Sequence, residues 1–174
     1  MSVPVPVPDI YGIGYGAVIL QPKINSRMNE LRTKALQYLA KRENSRMQLR
    51  SKLIDDGFDK DAVESLLDEL AAEGLQSDLR FAQNLMRNRK QGGYGPERIS
   101  YELKHYGISE SIIKSVLDWH SKDWKLQIGT LLERRFPNSA GQFMREKARF
   151  LENRGYTAED ISRVLNREKI YDDD

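Results

Sequence analysis

Three glycines in matching surroundings constrain this chain more than anything else in it. Gly57-Phe58, Gly107-Ile108 and Gly155-Tyr156 are spaced 50 and 48 residues apart. Four residues before each stands a leucine (Leu53, Leu103, Leu151), and six after each a β-branched apolar residue (Val63, Ile113, Ile161). Nine and ten residues after come Leu66-Leu67, Val116-Leu117 and Val164-Leu165. Eight before, the first two units carry Leu49 and Ile99, and the third carries Lys147 with Ala148 beside it. Self-similarity at a fixed period is the mark of a repeat architecture, and this period is too long for the 34-residue tetratricopeptide unit.

Each unit reads as helix, turn, helix. Leu49 and Leu53 lie four apart on one helical face. Gly57 follows where a left-handed residue ends a helix, and Asp59 offers an N-cap to the next. Pro96 opens the corresponding helix of the second unit, where a missing N–H costs nothing, and Ser109 and Thr157 take the capping role of Asp59. Ahead of each pair lies another 3.6-period segment, at 29–43, 78–90 and 120–135. The expected fold is all-α: three tandem three-helix repeats forming an elongated, curved array, over residues 28–75, 76–118 and 119–170. Each unit is too small for a generous core of its own, so neighbours are expected to stack.

Residues 1–27 break the pattern. Pro4, Pro6 and Pro8 forbid a helical signal core, and alternating Val-Pro favours polyproline II. The segment is read as an extended, disordered leader, with Met28 an alternative start. Gly12, Gly14 and Gly16 miss the spacing of a nucleotide-binding loop.

Composition narrows the function classes. The chain lacks cysteine, which excludes disulfides, zinc ribbons and thiol nucleophiles. His105 and His120 stand fifteen apart without metal-ligand spacing. His105 falls in a last helical turn, where positive charge is welcome. Asp55-Asp56 reads as solvated turn charge and Asp172-Asp173-Asp174 as a solvated tail. No run approaches the length of a membrane-spanning helix. The expectation is a protein that is no enzyme, with no cofactor, no metal and no membrane contact. Charge is nearly balanced at +2 overall, yet residues 76–118 hold 7 basic against 5 acidic residues.

The second unit carries a resemblance. Ser77-Asp78-Leu79-Arg80-Phe81-Ala82, then Gly93-Tyr94-Gly95-Pro96-Glu97-Arg98-Ile99, then Glu102-Leu103 and Gly107-Ile108, resembles the RecX family of bacterial regulatory proteins. Phe150-Leu151-Glu152-Asn153-Arg154-Gly155-Tyr156 is similar to that family's F-L-x-x-R-G-[FY] signature. Arg42, Ser45, Leu49 and Leu53 resemble its opening motif, with Gln48 where an acidic residue is common. The resemblance covers about residues 29–166. It implies three tandem three-helix repeats and a monomeric, cytoplasmic, non-enzymatic regulator of homologous recombination. Such a protein binds RecA and the RecA–DNA filament, meeting single-stranded or duplex DNA mainly through that filament. It restrains RecA ATPase, recombinase and coprotease activity in DNA repair and the SOS response.

The candidate contact residues are basic. Arg87, Arg89 and Lys90 crowd a helix end before Gly92-Gly93-Tyr94-Gly95, and Arg98 stands one turn further on. Cations at a helix C-terminus are favoured by the dipole alone. Beyond that, they suit DNA phosphate or an acidic RecA surface, with Tyr94 as a flat contact. The third unit repeats the theme with Arg134, Arg135, Arg145 and Arg149, the last two four apart on one face. Arg87, Arg89, Lys90 and Arg98 are expected on one continuous exposed face with Arg145 and Arg149, so that charge reversal at Arg87 and Arg89 spares the fold. Trp119 and Trp124 are assigned to repeat cores. Two other readings stand beside this one: a helix-turn-helix DNA-binding protein and a generic α-helical scaffold.

Overall fold

The computed structural model describes the backbone of residues 15–139 and 142–172, and the side chains of 26–139 and 142–166. Its elements are α1 (Tyr15–Lys41), α2 (Arg46–Asp55), α3 (Lys60–Ala72), α4 (Asp78–Gln91), α5 (Pro96–His105), α6 (Glu110–Val116), α7 (Lys122–Arg135), α8 (Met144–Asn153) and α9 (Ala158–Asp172). Among the described residues there is no strand. The helices pack in threes, α1–α3, α4–α6 and α7–α9, a helical repeat array.

The repeat glycines do what their sequence surroundings demand. Gly57, Gly107 and Gly155 have φ of 88°, 75° and 77°. In each unit the glycine N–H bonds the carbonyl three residues back, and the next residue reaches the anchor leucine: Phe58 to Leu53, Ile108 to Leu103, Tyr156 to Leu151. These are three superimposable Schellman turns. Asp59 accepts from the amides of Asp61 and Ala62, Ser109 from Ile112, and Thr157 from Asp160. The chain thus leaves each second helix and enters each third helix by the same short turn.

The anchor leucines Leu53, Leu103 and Leu151 are fully buried, as are Leu49 and Ile99. In the pairs that follow, the deeper residue is the second: Leu67, Leu117 and Leu165 are buried, whereas Val116 and Val164 are half-buried. Lys147 occupies the Leu49/Ile99 column and is only 2% exposed. Its ammonium donates to the Ser139 carbonyl at 2.6 Å, so the loop before α8 supplies the acceptor that an apolar column otherwise lacks. Trp124 is buried and Trp119 packs half-buried against the same core.

Among the described residues there are two hydrophobic cores, not three. Leu31, Ala35, Leu49, Leu53, Val63, Leu66, Leu67 and Leu70 form the core of the first repeat alone. A single continuous core runs through the second and third repeats, from Phe81 and Ile99 to Trp124, Leu151 and Leu165.

One expectation needs correction. Residues 15–27, read as extended leader, are helical and continuous with α1. Extending an existing helix is far easier than nucleating one, and after Pro8 only Pro22 interrupts. Arg27 also donates to the Gly57 carbonyl at 3.0 Å, and Met28 packs on the first core. Residues 1–14, with their Val-Pro run, lie outside the described residues, as do the side chains of Asp172, Asp173 and Asp174.

Candidate functional site

The family-like motifs build two joints. The first couples repeats one and two through polar groups. Ser45 caps α2 in a reciprocal box with Gln48. The next amide, of Arg46, donates to the Asp78 carboxylate at 2.8 Å. Gln76 donates to the same carboxylate at 2.9 Å and to the Asn44 carbonyl at 3.3 Å. Arg80 pairs with Glu43 at 2.8 Å while its other nitrogens hold the Gly74 and Leu75 carbonyls. Asn44 is buried, donates to the Tyr38 and Arg42 carbonyls and accepts from Lys52. Burial, then the charges of Arg42 and Lys41, hold the Lys52 ammonium below its ordinary value.

The second joint is a backbone clasp between the α4–α5 and α8–α9 turns. Gly95 N–H donates to the Arg154 carbonyl at 2.8 Å, and Glu97 N–H to the Gly155 carbonyl at 3.0 Å. A Cβ on Gly95 would lie 2.5 Å from the Gly155 carbonyl carbon and the Tyr156 nitrogen. A Cβ on Gly155 would lie 2.5 Å from that of Arg98. Only glycine permits this approach. Arg154 reaches across to the carbonyls of Gly92 and Gly93 at 3.0 and 3.2 Å. It therefore caps the end of α4 in the preceding repeat rather than that of its own α8. The buried Tyr156 hydroxyl donates to Gly93 at 3.3 Å, and burial pushes its phenol well above the ordinary value.

This clasp consumes most of the middle-repeat candidates. Arg89 pairs with Glu102 at 2.6 Å, a carboxylate only 13% exposed, and that hydrogen bond raises its already high pKa. Arg98 takes the other oxygen of Glu102 at 3.0 Å. Tyr94 lies between the guanidinium groups of Arg89 and Arg154, at 5.7 and 5.5 Å. Lys90 crosses to Asp123 of α7 at 3.0 Å and sits over the Trp124 ring. Four of the five residues singled out in the middle repeat thus face internal partners. Only Arg87 is exposed with none among the described residues. Charge reversal at Arg89 would strip a partner from half-buried Glu102, so it is no neutral probe of binding.

The third-repeat arginines differ. Arg134, Arg145 and Arg149 are exposed and pair with no described acid, while exposed Arg135 lies over its neighbour Phe136. Phe136 meets Phe150 edge to face at 5.8 Å, which ties the end of α7 to α8. Arg145 and Arg149 occupy the face of α8 opposite Lys147 and Leu151. His105 and His120 are exposed, and among the described residues no acidic or histidine cluster could hold a metal ion. Among them, too, no helix is long and apolar enough to cross a membrane.

Comparison with known proteins agrees with this geometry. Residues 32–70 match the family description "RecX, first three-helix domain", and residues 77–117 match "RecX, second three-helix domain". Both matches fall on the helix triples described above. A Regulatory protein RecX of Halorhodospira halophila is 39% identical over 134 residues, covering 75% of this chain and 83% of its own. Another, of Pseudomonas entomophila, is 36% identical, covering 82% of this chain and 94% of its own. The crystal structure of RecX from Lactobacillus salivarius superposes with a TM-score of 0.73 at 19% identity, over 84% of this chain and 99% of that one. With the motif residues at the joints and this relatedness along most of its length, the chain belongs to the RecX family of regulatory proteins.

Proposed function

We propose that this chain is a non-enzymatic modulator of RecA, binding the RecA–DNA filament in the cytoplasm and restraining its ATPase, recombinase and coprotease activities. Family membership supports a regulatory role, and the filament target is what the resemblance to RecX implies. The observation that carries the mode of contact is the division among cations. Arg89, Lys90 and Arg98 of the middle repeat have internal partners, whereas Arg87, Arg134, Arg145 and Arg149 are exposed with none among the described residues. An unpaired exposed arginine loses no internal partner when it meets a phosphate or a carboxylate. The decisive experiment is RecA ATPase activity on single-stranded DNA, titrated with purified chain. Inhibition by the wild type is expected. It should weaken for an Arg145→Glu/Arg149→Glu variant whose melting temperature is unchanged. Absence of any effect of the wild type on RecA turnover would overturn the proposal.

A further inference from the structure

The repeats provide an internal control. Because the three units share one turn geometry, residues at equivalent solvent-facing positions of their second helices are not dictated by the fold. On α5 the core side is Pro96, Ile99, Ser100 and Leu103. The opposite ridge is Arg98, Tyr101 and His105, with Lys104 on its flank. The same ridge carries Gln48, Ser51 and Asp55 on α2, and Glu146, Arg149 and Asn153 on α8. Only the middle repeat presents an aromatic ring among basic side chains.

Tyr101 has no structural employment. It is 66% exposed, stands outside both hydrophobic cores, and has no hydrogen-bond or ring partner among the described residues. Arg98 and His105 are seven residues apart, about 10 Å of helix rise, with the ring between them. The ridge itself bears no carboxylate. Glu97 lies on its flank, and the pairs Arg98–Glu102 and Lys104–Glu110 are solvent-exposed on their cationic side. The Lys104–Glu110 pair, exposed on both sides, is weak and exchanges readily for another anion, and Glu102 keeps Arg89 when Arg98 turns to a phosphate. A flat ring held clear of the surface, with the cations Arg98 and Lys104 and the imidazole of His105 around it, is what an unpaired nucleotide strand recognises. Its bases stack and its phosphates pair.

We infer that the α5 ridge of Arg98, Tyr101, Lys104 and His105 contacts single-stranded nucleic acid directly, with Tyr101 stacking on a base. The inference rests on the filament reading only in that the filament carries such a strand. Binding of fluorescein-labelled oligothymidylate to the full chain, followed by anisotropy without RecA, tests it apart from that reading. Tyr101→Ala should weaken binding about 5–150-fold, the value of one stacked base. Tyr101→Phe, which keeps the ring, should bind as the wild type does. Lys104→Gln should lower the slope of log affinity against log salt by about 0.7, one phosphate contact on a single strand. Unchanged affinity of Tyr101→Ala, or equal loss in Tyr101→Phe, would overturn the inference. So would a Tyr101→Ala variant that keeps oligothymidylate but loses RecA, since the ridge would then face protein. If the wild type fails to bind oligothymidylate at low salt yet inhibits RecA turnover, the ridge assignment falls and the filament reading stands.

Discussion

Substituting Gly95 by alanine isolates the clasp between the second and third repeats. Gly95 has φ of −84°, a conformation open to any residue, so backbone strain does not enter. The whole effect comes from the added Cβ. It would stand 2.5 Å from backbone atoms of Gly155 and Tyr156, where ordinary contact begins near 3.4 Å. The turns must separate by about 1 Å, which defeats hydrogen bonds now at 2.8 and 3.0 Å. Two such bonds contribute about 1–3 kcal/mol together, and overpacking about 1–3 kcal/mol more. The expected loss is therefore about 2–6 kcal/mol, a large part of the stability of a domain this size. Urea unfolding followed by tryptophan fluorescence reads it directly, because Trp119 and Trp124 both pack in the core that the clasp joins. Gly92→Ala is the matched control. Its Cβ meets nothing closer than 3.4 Å and its φ is −74°, so alanine there should be neutral or slightly stabilising. A Gly95→Ala loss below about 0.5 kcal/mol, or equal effects at both glycines, would refute the reasoning.

Further outcomes follow from the same contacts. Leu103→Ala, at a fully buried anchor, should cost about 2–5 kcal/mol in urea unfolding. Asp78→Ala removes acceptors from Arg46 N–H and Gln76. Because the first repeat has its own core, its unfolding in that variant should separate from the rest, with circular dichroism and tryptophan fluorescence giving different midpoints. Glu64 is held below the usual carboxylate range by its hydrogen bonds to Arg50 and Arg46. Its folded-state pKa is depressed, so its contribution is complete above the ordinary glutamate value and lost as pH falls through the folded one. Glu64→Gln should accordingly flatten the acid limb of the stability–pH curve, measured from about pH 5 downward, with the stabilities of the two proteins converging there.

The repeat was legible in the sequence because its chemistry is local. A left-handed glycine, a buried leucine four residues before it and a capping side chain two residues after it are fixed by one turn of backbone. Gly57, Gly107 and Gly155 therefore state their roles without reference to anything distant. The contact residues were less legible because their roles depend on what lies across a joint. Arg89, Lys90 and Tyr94 read as a basic, aromatic patch when only their neighbours in sequence are visible. Their partners Glu102, Asp123 and Arg154 are thirteen, thirty-three and sixty residues away. The spacing Gly93-Tyr94-Gly95 did hold a usable signal. Glycine flanking an aromatic before a helix-starting proline marks a close backbone approach, and the second turn of that approach is Arg154-Gly155-Tyr156. Tyr101 is illegible in the sequence for the opposite reason. A single tyrosine on a charged helix is unremarkable until the helix faces are assigned and the equivalent Ser51 and Arg149 show that the fold does not require it.

The unequal joints bear on how the array can act. The second and third repeats share a core and a backbone clasp, so their relative placement is fixed by close packing, which deforms little. Among the described residues the first repeat shares no apolar core with them and meets them through Asp78, Gln76, Arg80 and their partners. Side-chain hydrogen bonds of this kind tolerate small rotations better than interdigitated side chains do. On the proposed filament, whose repeating surface need not match one rigid curve, the α5 ridge and the arginines of α8 would then be presented together as one body. The first repeat would adjust beside them. Locking it is the corresponding test. A disulfide engineered between the α1–α2 and α3–α4 segments should leave oligothymidylate affinity unchanged, because the ridge lies wholly in the locked-together pair. It should reduce inhibition of RecA turnover if adjustment matters. Equal inhibition by the oxidised and reduced forms would show that the polar joint is a fixed connection and that the three repeats act as a single rigid body.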